Sequence, residues 1–177
     1  MRTTLAGALA AGIVLGAASP GRCESGHGTV AFATVGVGLG SGGIAEVVSL
    51  DVHRGGLVTI ARWSRVEEFE IFGPSPAETD NDYGVLVGKS SRSGHHVTSA
   101  AVGLALVKSV RRGELVERGW FGDSYRRLER VTVGLPIDLK ATANAGPVGL
   151  GADIFGDINP NGFFWGAALT IQFGKMR

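Results

Sequence analysis

The segment GFFWGAALTIQFGKMR, residues 162–177, decides the fold. Phe163, Trp165, Ala167, Leu169, Ile171 and Phe173 fall on one face of an extended chain; Phe164, Gly166, Ala168, Thr170, Gln172 and Gly174 fall on the other. One face is large and apolar, the other mostly small or polar. A strand sends alternate side chains to opposite faces, so a period of two predicts a strand with two chemically different sides. Residues 130–141 repeat the pattern: Val131, Val133, Leu135, Ile137, Leu139 and Ala141 against Arg130, Thr132, Gly134, Pro136, Asp138 and Lys140.

Weaker alternation marks candidate strands at 29–39, 44–53, 57–65, 83–91, 97–108 and 148–155. The phase of 57–65 is ambiguous, because apolar residues occur at both parities. With the two clean segments these make eight strands, the smallest count for a single-chain outer-membrane barrel. A chain of 177 residues is one domain by default. With 29 Gly and 19% charged residues it suits neither a helical protein nor a disordered one. The formal charge of +1 offers no concentrated basic face, so nucleic acid is not an expected partner.

Location comes from the N-terminus. Arg2 precedes the apolar run LAGALAAGIVLGAA, residues 5–18, which has signal-peptide length and is too short to span a bilayer comfortably. Gly16 and Ala18 suit small-x-small cleavage. The expected divisions are a signal peptide at 1–18, a tail at 19–27 and a barrel domain at 28–177. Cys23 is the single cysteine, so it forms no internal disulfide. Pro20 and Arg22 stand where lipidation would require an aliphatic and a small residue, so an incidental thiol is expected. No run of about 20 apolar residues follows residue 18, so a membrane-embedded mature chain must be a closed barrel.

Alternation alone does not say which face points out. In a soluble, lipocalin-like barrel the apolar face would point inward toward a ligand; in a membrane barrel it points out to lipid. The connections discriminate. Those near 54–56, 92–96 and 142–147 are short; those at 66–82, 111–129 and 156–162 are longer, and only the one near 41–43 breaks the alternation. With both termini inside, the even connections are periplasmic and the odd ones extracellular. The fold class is therefore all-β: a closed, antiparallel, up-and-down barrel of eight strands behind a signal peptide. Asp51, Arg130, Asp138, Lys140 and Asp153 fall on the inward face and are expected to form a lumen network, because buried charges must pair. Pro136 lies mid-strand and lacks a ladder donor, so a bulge or an early strand end is expected there.

These residues resemble the small eight-stranded outer-membrane barrels of Gram-negative bacteria, of the OmpA and OmpX type. The resemblance implies an assembly signal read by the barrel-insertion machinery, mapping here to Gly166, Leu169, Ile171 and Phe173. The tail Gly174-Lys175-Met176-Arg177 departs from it, since many such barrels stop at the aromatic residue. The expected partners are outer-membrane lipid, lipopolysaccharide and that machinery, with the chain a monomer and no cofactor bound. The expected role is structural or surface interaction, with a lumen plugged by polar side chains, rather than catalysis.

Other motifs are weaker. GLGSGG, residues 38–43, matches G-x-G-x-x-G, but the next segment alternates like a strand, so a glycine-rich hairpin is expected rather than a nucleotide site. His96 and Thr98 share a face, as a base and a hydroxyl would in a lipid A deacylase barrel. Thr stands in place of that family's serine, Ser99 in place of its asparagine, and the topology puts the pair at the periplasmic end. Glu78, Asp80, Asn81 and Asp82 form an acidic stretch without the glycine and distal glutamate of a calcium loop. Trp120, Phe121 and Tyr125, interleaved with Arg126 and Arg127, are expected in an interfacial girdle near lipopolysaccharide phosphates.

Overall fold

The computed structural model describes residues 28–69, 77–119 and 122–174. The signal segment, the tail with Cys23, the pair Trp120 and Phe121, and residues 175–177 lie outside them. Eight strands run up and down: β1 (Val30–Gly40), β2 (Gly43–Arg54), β3 (Leu57–Glu68), β4 (Thr79–Ser93), β5 (His96–Gly119), β6 (Gly122–Ala145), β7 (Val148–Asn159) and β8 (Gly162–Gly174). Each pairs antiparallel with the next, and β1 pairs with β8 from Phe32↔Gly174 to Gly40↔Gly166, closing the ring.

The wall is apolar outside and polar inside. Leu39, Leu50, Val85, Leu104, Val133, Leu150, Leu169 and Phe173 are exposed on the outer face. Thr34, Asp51, Arg62, Asp138, Lys140 and Gln172 are buried within the ring. A soluble ligand-binding barrel requires the reverse. Val133 and Leu169, which would line its cavity, are 58% and 78% exposed. The polarity is that of a membrane barrel.

The wall differs from the sequence expectation in its connections. Residues 111–129 are not a long loop. β5 and β6 each run for 24 residues and continue well past their neighbours, joined across 120–121. Beyond Val110↔Glu129 they form a two-stranded ribbon, with register shifts between Arg112 and Leu115 and between Leu115 and Glu117. Tyr125 pairs with Leu115 high on this ribbon, above the barrel wall rather than in a girdle around it. Connection seven is likewise tight, since β7 reaches Asn159 and β8 starts at Gly162. The two ends differ because strands are lengthened at one of them, more than because loops are longer there.

Pro136 neither bulges nor ends its strand. The β5–β6 ladder passes from Val102↔Ile137 to Ala105↔Gly134 in unchanged register, so pairing is only interrupted at Leu135 and Pro136. On the other side Pro136 stays in register with Asp157 of β7. At the opposite end the turns are two residues long. Gly55 and Gly56, both at positive φ, make the β2–β3 turn of the type whose twist suits a hairpin.

Candidate functional site

The interior is layered. Toward the ribbon end, Ala45, Val47, Val66, Val107, Phe155 and Phe164 form one apolar cluster. Toward the two-residue turns, Val58, Ile60, Leu86 and Ala101 form another. Among them runs a polar belt built on two cations: Asp51 pairs in register with Ile60, and Asp138 with Ala101 and Phe155.

Arg62 of β3 crosses the lumen. Its guanidinium donates to Asp82 at 2.6 Å, to Asp138 at 3.2 Å and to the Ile137 carbonyl at 2.9 Å. It also lies over the Phe155 ring, 5.5 Å from the centroid. Gly166 makes room for that ring: a Cβ there would sit 2.5 Å from Phe155 Cζ. Lys140 of β6 donates to Asp51 at 2.7 Å and to Ser49 at 2.9 Å, and stands 3.7 Å from Asp153. Thr34 and Ser49 hydroxyls also donate to Asp51.

Charge does not balance in this belt. Asp51, Asp82, Asp138, Asp153 and Asp157 are each 1% exposed or less, five carboxyls against the two cations Arg62 and Lys140. Among the described residues, both Asp153 oxygens and one oxygen each of Asp82, Asp138 and Asp157 find no hydrogen-bond partner. Buried charges without full pairing are costly, so this excess of carboxyls works against the stability of the barrel.

Of the expected lumen residues, Asp51, Asp138, Lys140 and Asp153 lie together in this belt. Arg130 does not: it has inward parity but is exposed, because β6 has already risen past β7 at that height. Sequence reading missed Arg62, whose strand had no clear phase, and Asp82, which lay in the expected loop 66–82. The parity of Trp63 and Tyr83, two large residues that pair in register on the outer face, is the signal that places Arg62 and Asp82 inside. Asp80 and Asp82 point inward to different cations, Arg111 and Arg62, while Asn81 points out.

A second polar cluster crowns the wall at the base of the ribbon. Arg111 makes two 2.8 Å hydrogen bonds to Asp80, which also accepts from Ser109 at 2.6 Å. Arg112 donates to Glu68 at 2.6 Å, and its backbone N–H donates to Glu78. Lys108 and Arg127 flank Glu129 on the outer rim, each at 2.9 Å. The Lys108 hydrogen bond, with the two positive charges, holds the Glu129 carboxyl below its ordinary pKa.

Leu169, Ile171 and Phe173 lie exposed on the outer face of β8, whereas Gly166 faces inward under Phe155. His96 and Thr98 are exposed at the two-residue-turn end, and GLGSGG forms the β1–β2 hairpin with a strand after it.

No protein-family model matches the chain, and no curated protein matches it in sequence. Among solved structures, Neisserial surface protein A is similar at a TM-score of 0.58 and 12% identity, over 82% of this chain and 96% of that one. The likeness is one of fold: the chain has the eight-stranded architecture of the small outer-membrane barrels.

Proposed function

We propose that the chain is an outer-membrane protein, exported by residues 1–18, whose barrel is plugged and whose role is structural or one of surface interaction. The observation that supports this most directly is the outward belt of large apolar side chains around a charged interior. In water that arrangement would expose far more contiguous apolar surface than a soluble monomer carries. The apolar clusters and the polar belt that together fill the interior support a plug rather than a pore. The ribbon of β5 and β6 is the part that would meet other molecules at the cell surface. Lipopolysaccharide and the barrel-insertion machinery are the partners of this reading, the latter through Leu169, Ile171 and Phe173, and the protein acts as a monomer.

Expression of the whole chain in a Gram-negative host, with membrane fractionation and gels of boiled and unboiled samples, tests it. An outer-membrane band whose mobility shifts on boiling is the expected result. A soluble, unshifted band would end the membrane reading. Single-channel recording in planar bilayers then tests the plug, for which no steady conductance is expected.

A further inference from the structure

We infer that the outer wall formed by β3, β4 and β5 carries a site for one phosphorylated membrane lipid, with an acyl chain held below and the phosphate above. The inference rests on the membrane reading just given. A groove of about 420 Å³ indents the outer face, bordered by Val48, Leu50, Trp63, Tyr83 and Val85. Ala61 is its floor: a small side chain among large ones leaves the gap. Because the groove opens on the apolar belt, its natural occupant is hydrocarbon.

Strand register fixes what stands above it. Two residues up from Ala61, Trp63 pairs with Tyr83, and Tyr83 with Leu106. Two residues further, Arg65 pairs with Asn81, and Asn81 with Lys108. All three of these share the outward parity of Trp63, so the next row sets two cations, Arg65 and Lys108, on either side of the Asn81 amide, with the Glu46 carboxylate beyond Arg65 at the β2 end. Each step of two residues is about 7 Å along a strand. The order from the membrane outward is thus a chain-sized groove, an aromatic pair of the kind that lies at headgroup level, then cations.

Acids border the site. Glu46 pairs in register with Arg65 from the β2 side, Glu67 holds Arg65 at 2.5 Å, and Glu129 holds Lys108 at 2.9 Å. Glu67 and Glu129 lie one row further from the groove than the cations. A phosphate entering from below between Arg65 and Lys108 meets their donors before it meets Glu67 or Glu129, and Glu46 lies to the side, beyond Arg65. A basic substituent on that phosphate would meet the carboxylates. The ion pairs are a third to a half exposed, so exchange of partner costs little.

The test uses the whole barrel folded in a phosphate-free detergent, with native mass spectrometry. Three probes separate the parts of the ligand: phosphatidic acid, diacylglycerol and inorganic phosphate. Retention of a single phosphatidic acid, and of neither other probe at equal concentration, is expected. Ala61→Phe, which fills the groove, and the double change Arg65→Gln with Lys108→Gln should each reduce retention about tenfold. Leu150→Phe, on the far wall, should leave it unchanged. Ala61→Leu is the second groove variant, and a boiling shift on the gel verifies that every variant is folded. Equal retention across folded variants, or equal binding of diacylglycerol, would overturn the site and leave the barrel standing. A wild-type dimer broken by Ala61→Phe would assign the groove to a second copy instead. A wild-type chain that never shows the boiling shift would remove the membrane reading and the site together.

Discussion

The polar belt inside the barrel and the polar crown at its rim use the same chemistry at opposite solvation. Arg62 meets Asp82 and Asp138 with every side chain at 0% exposure, whereas Arg112 meets Glu68 with about a third of each side chain exposed. Both contain an arginine–carboxylate contact of 2.6 Å. Distance therefore does not rank them; what surrounds them does. Inside, removal of one partner strands a charge that water cannot reach freely. At the rim, water replaces the lost partner.

The largest effect should come from Arg62→Ala. It leaves Asp82 and Asp138 facing each other without their cation, and a loss of about 3–5 kcal/mol is expected. Urea unfolding in lipid vesicles, followed by the gel shift, measures it. Adding Asp82→Asn and Asp138→Asn to Arg62→Ala should recover much of the loss, and no recovery would mean that the guanidinium acts through packing on Phe155.

Next is Asp153→Asn. This carboxyl belongs to the unbalanced excess, and Lys140 keeps Asp51 and Ser49 without it. A gain of about 1 kcal/mol is expected in the same assay. A loss of similar size would show that Lys140 depends on Asp153 despite the 3.7 Å separation.

At the crown, Arg112→Gln should cost under about 1 kcal/mol and become undetectable at high salt. A salt-independent cost would move this pair into the same class as the interior.

The smallest effect concerns Glu129. Because its pKa is lowered in the folded state, its contribution is present above the ordinary glutamate pKa and is lost as pH falls through the lowered value. Carbon-detected titration should place its midpoint below that of an unpaired glutamate. Lys108→Gln should move it back toward the ordinary range; an unmoved midpoint would refute the Lys108 hydrogen bond as the main cause.

The wall was legible wherever large apolar and small or polar residues alternate cleanly, as in Phe163 to Phe173 and Val131 to Leu139. Legibility failed for two physical reasons. In β3 the inward face changes character along its length: Val58 and Ile60 pack in an apolar layer, Arg62 and Ser64 in the polar belt. A strand that crosses two layers has no single inward chemistry, so its phase is hidden and Arg62 with it. In the ribbon both faces rise beyond the barrel wall, so neither has reason to be uniformly apolar, and the charged segments 111–119 and 122–129 read as loop although they pair with each other. Of the polar belt, the residues on well-phased strands were legible, namely Asp51, Asp138, Lys140 and Asp153. Arg130 was misplaced because parity tells which way a side chain points but not how high the neighbouring strand reaches.

The seam between β1 and β8 has a consequence for biogenesis. Each of its pairs joins the first strand to the last, such as Gly40 to Gly166 and Phe32 to Gly174. Until residues 166–174 have been synthesised, β1 has one bare edge, and no shorter nascent chain can close the ring. If the chain is exported as proposed, a barrel with so apolar an exterior and so late a closure would cross the cell envelope while still open, shielded from its own kind, and fasten its two ends only where lipid is waiting.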